Sequence, residues 1–350
     1  MNVLFLIGNG FDLNVGLKTR FSDFLQVYVR THSSDIRMAS FIEAIKTNFD
    51  TWADFEKQLG QHAKLYDSNT KDDLIFCRDD FLTKLADYLQ DQEERIDYSG
   101  EHVVSEIVRV FKHSIGGFQK GLPPESRHVI DSVYARHMSQ QHTYNFISFN
   151  YTRVFDKCIS ILCKGEAPII KHSKPGGVVS DFVKEEILHI HGTVDEDVII
   201  GVDNTSQIAN TALSADKKFT RRILKPVIND ELRNMKNGEG DKLISQSEII
   251  CVFGMSIGET DKTWWKRIGQ WLYTKSSAQL VLFIYEEPYN KRHATLTIEI
   301  VYKWIDRFFD LWGIPNDRRE SLRSRIHIGL NTDLFKVDLT QSTNRPGQIA

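Results

Sequence analysis

Four short stretches hold residue types that approach phosphates, bind polar groups and move protons. Residues 8–12 read Gly-Asn-Gly-Phe-Asp, 148–152 Ser-Phe-Asn-Tyr-Thr, 189–193 His-Ile-His-Gly-Thr, and 253–261 Phe-Gly-Met-Ser-Ile-Gly-Glu-Thr-Asp. A glycine has no Cβ, so a Gly-x-Gly turn lets backbone come close to a pyrophosphate while the next helix offers its free N–H groups. The third glycine of the dinucleotide fingerprint is replaced by Leu13, and no GxxxxGK[ST] segment occurs, which disfavours an ordinary dehydrogenase or P-loop NTPase. Gly8-Asn9-Gly10 alone fits a tight strand-to-helix turn equally well. Asp12, Glu259 and Asp261 could stabilise positive charge, yet Asp12 and Asp261 stand where helices should start, and a cap worth about 1 kcal/mol explains them as readily. His189 and His191 share one side of an ideal strand, but no third ligand has suggestive spacing, so His189 is read as a core or supporting histidine. Glu56, beside Trp52 and Phe55 in "TWADFEKQL", reads as an exposed or capping charge next to packed aromatics.

Each of the four stretches follows an apolar run of strand length. Such runs occur at Val3–Ile7, Tyr144–Phe149, Ile187–Ile190, Val198–Val202, Glu248–Phe253, Leu280–Tyr285, Arg325–Leu330 and Phe335–Leu339. Helical spacing marks Thr152–Cys163, Asp216–Met235, Asp261–Tyr273 and Arg292–Trp312, and also more than a hundred residues after the first run. Strands alternating with helices predict an α/β fold: a mostly parallel, Rossmann-like sheet with helices on both faces and a large helical insertion after the first strand. The expected organisation is an α/β nucleotide-binding domain from 1–14 and 141–340, a helical subdomain over 15–140 and a polar tail at 341–350. Lys164–Asp181, Asn237–Lys242 and the tail from Gln341 are expected to be flexible. Open α/β sheets bind ligands at the carboxyl ends of their strands, so the four polar turns predict one cleft.

Composition narrows the function classes. In 350 residues, 41% are hydrophobic and 11% aromatic, enough for a large core. No apolar run approaches the roughly 20 residues of a membrane span, and no leader is evident, so a cytoplasmic protein is expected. With 44 basic and 47 acidic residues in no long block, nucleic acid is not indicated as a partner, although Arg221, Arg222 and Lys225 form a local basic group. Cys77, Cys158, Cys163 and Cys251 form no CxxC pair, which points to ordinary thiols and to no metal.

The ordered set GNGFD, FNYT, HIHG and FGMSIGETD, followed by a Trp-rich helix, resembles the AbiH family of bacterial abortive-infection proteins over nearly the whole chain. More distantly it is similar to sirtuin-like NAD-binding domains, whose motifs run Gly-x-Gly, Asn-x-Asp, His-Gly and Gly-x-Ser. The resemblance implies a sirtuin-like fold with NAD as ligand or substrate. It makes Gly8 and Gly10 the phosphate turn, Asn150 the residue that orients ribose or attacking water, His191 the base, and Gly254 and Ser256 the second contacting turn. Asn9, Phe11, Asp12, Thr152, Gly192 and Asp261, beside these positions, are counted with them as cofactor-binding candidates. An imidazole titrating near pH ~6.5 suits that base role. Thr152 departs from the sirtuin pattern, which has a carboxylate there, and zinc-binding cysteine pairs are absent, so protein deacetylation is not implied. The function expected is an anti-phage effector that binds NAD and hydrolyses its nicotinamide–ribose bond, an NAD glycohydrolase. The alternative is a non-catalytic nucleotide-sensing module of a defence system, with a nucleic-acid-acting toxin as a third reading. A phage-derived trigger and assembly into a homo-oligomer are the expected partners.

Overall fold

The structure is a computed structural model that describes residues 1–31, 36–46, 52–164, 170–233, 235–290 and 292–340. Seven strands form one sheet: β1 (Asn2–Ile7), β2 (Thr143–Ser148), β3 (Ile170–Lys174), β4 (Gly177–His189), β5 (Ile249–Phe253), β6 (Gln279–Ile284) and β7 (Ile326–Leu330). Their order is β3-β4-β2-β1-β5-β6-β7, and all neighbours are parallel except the β3–β4 hairpin. The central strand β1 is buried on both faces, as a strand sandwiched between helix layers must be. Val3, Phe5 and Ile7 face a core built with Phe111, Phe118, Phe155 and Phe335, while Leu4 and Leu6 face another containing Trp265, Ile268 and Phe308. Trp264 and Trp265 are helix-to-sheet packing residues in that second core. The sheet is thus a mostly parallel α/β layer with helices on both sides.

Register places the ends of the key strands level. Ile7 pairs with both Ser148 and Phe253, and Ser148 with His189. The chain leaves all four strands at one edge, so residues up to about 250 positions apart emerge side by side.

The long segment between β1 and β2 serves two cores. The helix Glu101–Gly116 and the turn at Phe118 pack on the sheet, whereas Phe21, Phe24, Tyr28, Phe41, Phe55 and Phe81 form a separate aromatic core with Ile200, Val202 and Phe219. Phe55 and Phe81 stack there at 4.2 Å. This explains why Val198–Val202 is not a strand: its side chains fill the helical core, Arg78 donates to the Ile200 carbonyl, and its sole bridge among the described residues is Val202 to Leu224. Phe335–Leu339 is likewise no strand, because Phe335 adopts φ 54° and inserts among Phe5, Phe11, Phe111 and Phe253. The helix expected over Asp216–Met235 breaks at extended Leu224 into Lys217–Ile223 and Lys225–Glu231, where Pro226 opens the second piece. Of the stretches expected to be flexible, Asn237–Lys242 lies within the helix Lys236–Gln246, and residues 170–181 form much of the β3–β4 hairpin, turning at Gly176 with φ 83°, while 165–169 lie outside the described residues. The tail 341–350 lies outside the described residues. Among the described residues, no helix is long and apolar enough to cross a membrane.

Candidate functional site

A cavity of about 740 Å³ opens at the carboxyl ends of β1, β2, β4 and β5. Gly8, Asn9, Gly10, Asp12, Asn150, Thr152 and His191 line it from the first three motifs, and Gly254, Ser256 and Asp261 from the fourth. Two residues expected there do not reach it. Phe11 points into the core against Phe155 at 5.0 Å, and Gly192, at φ 77°, forms a turn in which a Cβ would lie 1.9 Å from the Asp197 carbonyl oxygen.

The glycine turn is built first for its neighbour strand. Gly8 N–H donates to the Phe253 carbonyl, Gly10 N–H to the Gly254 carbonyl and Phe11 N–H to the Gly8 carbonyl, at 2.8–2.9 Å. A Cβ on Gly10 would meet Gly254 Cα at 2.6 Å, and one on Gly8 the Gly254 carbonyl oxygen at 2.6 Å. The glycines therefore lock two turns together, and these three amides are occupied by backbone rather than offered to a phosphate. Asn9 is also committed, donating to the Thr19 carbonyl and accepting from the Thr19 hydroxyl.

Beside this turn lies a buried polar group of Asp12, Asn150 and Thr152. Thr152 Oγ1 donates to Asp12 Oδ2 at 2.8 Å. Asp12 is 1% exposed, and burial pushes its carboxyl up to about 7, with the Thr152 hydrogen bond opposing the rise. Asp12 Oδ1 and both amide atoms of Asn150 are buried without a well-formed hydrogen bond among the described residues, and Asn150 lies close enough to Asp12 to oppose the rise as well. Buried polar atoms are rarely left so.

His191 and Asp261 join a second group. Lys225 donates to both oxygens of Glu56 at 3.0 and 3.1 Å and to Asp261 Oδ1 at 3.1 Å, and His191 Nε2 lies 3.4 Å from the same Asp261 oxygen. One ammonium thus serves two buried carboxylates. Asp261 is held below the usual carboxylate range by Lys225 and His191 against the cost of burial, whereas burial, together with the Asp261 charge, drives Glu56 up. Burial first and the Lys225 charge second push His191 down to about 3. Both causes favour the neutral imidazole. Asp12 and Glu56 both line the cavity and are both pushed up to about 7 by burial, but Lys225 occupies both oxygens of Glu56. Glu56 is no surface charge either, since it is 6% exposed and lines the cavity.

The basic group at 221–225 is consumed internally. Arg221 pairs with Glu231 and Arg222 with Asp79, while Lys225 is buried. Lys225 escaped sequence reasoning as a site residue because its partner Glu56 lies 169 positions away. His189 is held between Asp156 and the Asn150 carbonyl, which fits a supporting role.

A family model described as bacteriophage abortive infection AbiH matches residues 4–283. The chain belongs to the AbiH family. The match runs from β1 into β6 and so includes all four cavity-lining turns of this AbiH protein, tying it to phage abortive infection. No curated protein matches the sequence.

Proposed function

We propose that this AbiH protein is an abortive-infection effector that binds NAD in the strand-end cavity and hydrolyses its nicotinamide–ribose bond. The observation that carries the reading is the buried polar pair Asp12 and Asn150 in the cavity wall, whose hydrogen-bonding capacity the described residues do not fill. A ribose hydroxyl both donates and accepts, so a pair of them complements an acceptor carboxylate beside an amide. The strand order supports the same class of ligand: numbered among themselves, the parallel strands run 3-2-1-4-5-6, the order of doubly wound dinucleotide-binding sheets, with the cavity at the point where the order reverses. By analogy with sirtuin-like domains, Asn150 orients the ribose or the attacking water.

In the reaction, water adds to the ribose C1′ as the glycosidic bond breaks, and the bonding pair passes to the pyridinium nitrogen to give neutral nicotinamide. The water loses a proton to Asp12, whose carboxylate also faces the positive charge developing on the sugar. His191, neutral and weakly basic, serves as a polar contact rather than the proton acceptor. Incubating purified protein with NAD and resolving the products tests this: equimolar nicotinamide and ADP-ribose support it. NAD bound but left intact would point instead to the nucleotide-sensing module.

A further inference from the structure

At the opposite end of β2 from the cavity, His142, His172 and Asp181 converge from three segments: the residue before β2, the edge strand β3 and β4. One ligand atom from each lies within 4.8 Å of the others. His142 Nδ1 is 3.4 Å from Asp181 Oδ2, and His172 Nδ1 is 3.0 Å from Asp181 Oδ1. Two ligand atoms held about 2.0–2.2 Å from a tetrahedral zinc ion stand roughly 3.3–3.5 Å apart, so these separations are close to those of an occupied site.

The donor inventory does not balance without a cation. His142 Nε2 faces the His137 carbonyl at 3.4 Å and His172 Nε2 the Met138 carbonyl at 2.9 Å. All four ring nitrogens therefore face acceptors only, while two neutral imidazoles carry two N–H groups. Both Nδ1 atoms are buried against Asp181, whose Oδ1 also accepts the His142 backbone N–H at 2.9 Å. Filling the deficit with protons would stack two imidazolium rings, whose centroids are 4.0 Å apart, over a single carboxylate. We propose that His142, His172 and Asp181 form a binding site for a divalent transition-metal ion of the zinc class, which staples the β3–β4 hairpin to the segment entering β2. Two imidazoles and a carboxylate suit such an ion, and the fourth position falls to water. The rings lie within 10° of parallel, so their in-plane lone pairs run side by side. An ion shared by both Nδ1 atoms therefore requires the His172 ring, the more exposed of the two at 19%, to rotate relative to the His142 ring.

The site stands apart from the cavity, and its test needs no enzymatic activity. The full chain is stripped with chelator and titrated with Zn²⁺ by calorimetry, then with Co²⁺ by visible absorption, which reports tetrahedral coordination. One ion per chain, a tetrahedral Co²⁺ spectrum and a higher melting temperature with Zn²⁺ are expected. His172→Ala, on the exposed hairpin, and Asp181→Asn should each weaken binding more than about tenfold and abolish the Co²⁺ bands. Wild-type protein that binds no ion, or binds it as tightly as folded His172→Ala, overturns the proposal.

Discussion

Asp12→Asn isolates the cost of burying one carboxyl. The change keeps an oxygen to accept from Thr152 and removes only the titration. Asp12 ionises at 3.8 when unfolded and at about 7 when folded, so the native state holds the extra proton between those values. Its contribution to stability is therefore complete below about pH 4 and is lost as pH rises through about 7. Roughly three pKa units at about 1.4 kcal/mol each total about 4 kcal/mol, of which about 2–3 kcal/mol falls between pH 5 and pH 8. The side chain is 1% exposed, so solvent screening does not reduce the figure much. Urea unfolding of wild type and variant at pH 5, 6, 7 and 8 gives the difference directly. His191, whose lowered ionisation acts in the opposite sense at acid pH, is common to both proteins and cancels. The variant should gain on the wild type steadily as pH rises. A difference that is flat within about 0.5 kcal/mol, or that falls with pH, would refute the burial argument.

Gly10→Ala should destabilise by about 1–3 kcal/mol in chemical denaturation, because its Cβ meets Gly254 backbone rather than the open cavity; wild-type stability in the variant would show that the two turns are not locked. Lys225→Met strands Glu56 and Asp261 without their shared cation and should cost about 3–5 kcal/mol, more at alkaline than at acid pH, and a pH-independent loss in urea unfolding would argue against the paired-carboxylate account. Asn150→Ala and Asp12→Asn should each cut nicotinamide release by roughly a hundredfold or more in folded protein, with His191→Ala cutting it less. Activity that merely follows the folded fraction of each variant would make these residues structural.

Much of the sheet is legible in the sequence because the strand runs are apolar on both faces and end in polar turns, and the shared register of Ile7, Ser148, His189 and Phe253 then gathers the cavity. Val198–Val202 misleads because an apolar run of that length is equally at home against a helical aromatic core, and Phe335 because its burial is achieved by insertion rather than pairing. Gly8 and Gly10 show the same ambiguity at the site: the absence of a Cβ is required by Gly254, a neighbour about 245 residues away that spacing cannot reveal. The Lys225 group and the His142–His172–Asp181 cluster are invisible for a related reason, since their partners are brought together by tertiary packing. Burial likewise pushes the ionisation of His191 down and that of Asp12 up, which residue type alone does not show.

A crystal structure of the protein with ADP-ribose tests the central claim most directly. The account places one molecule in the strand-end cavity with ribose hydroxyls within about 3.2 Å of Asp12 Oδ1 and the Asn150 amide. Density for the ligand elsewhere, or a cavity that stays without it at saturating ADP-ribose, would contradict it.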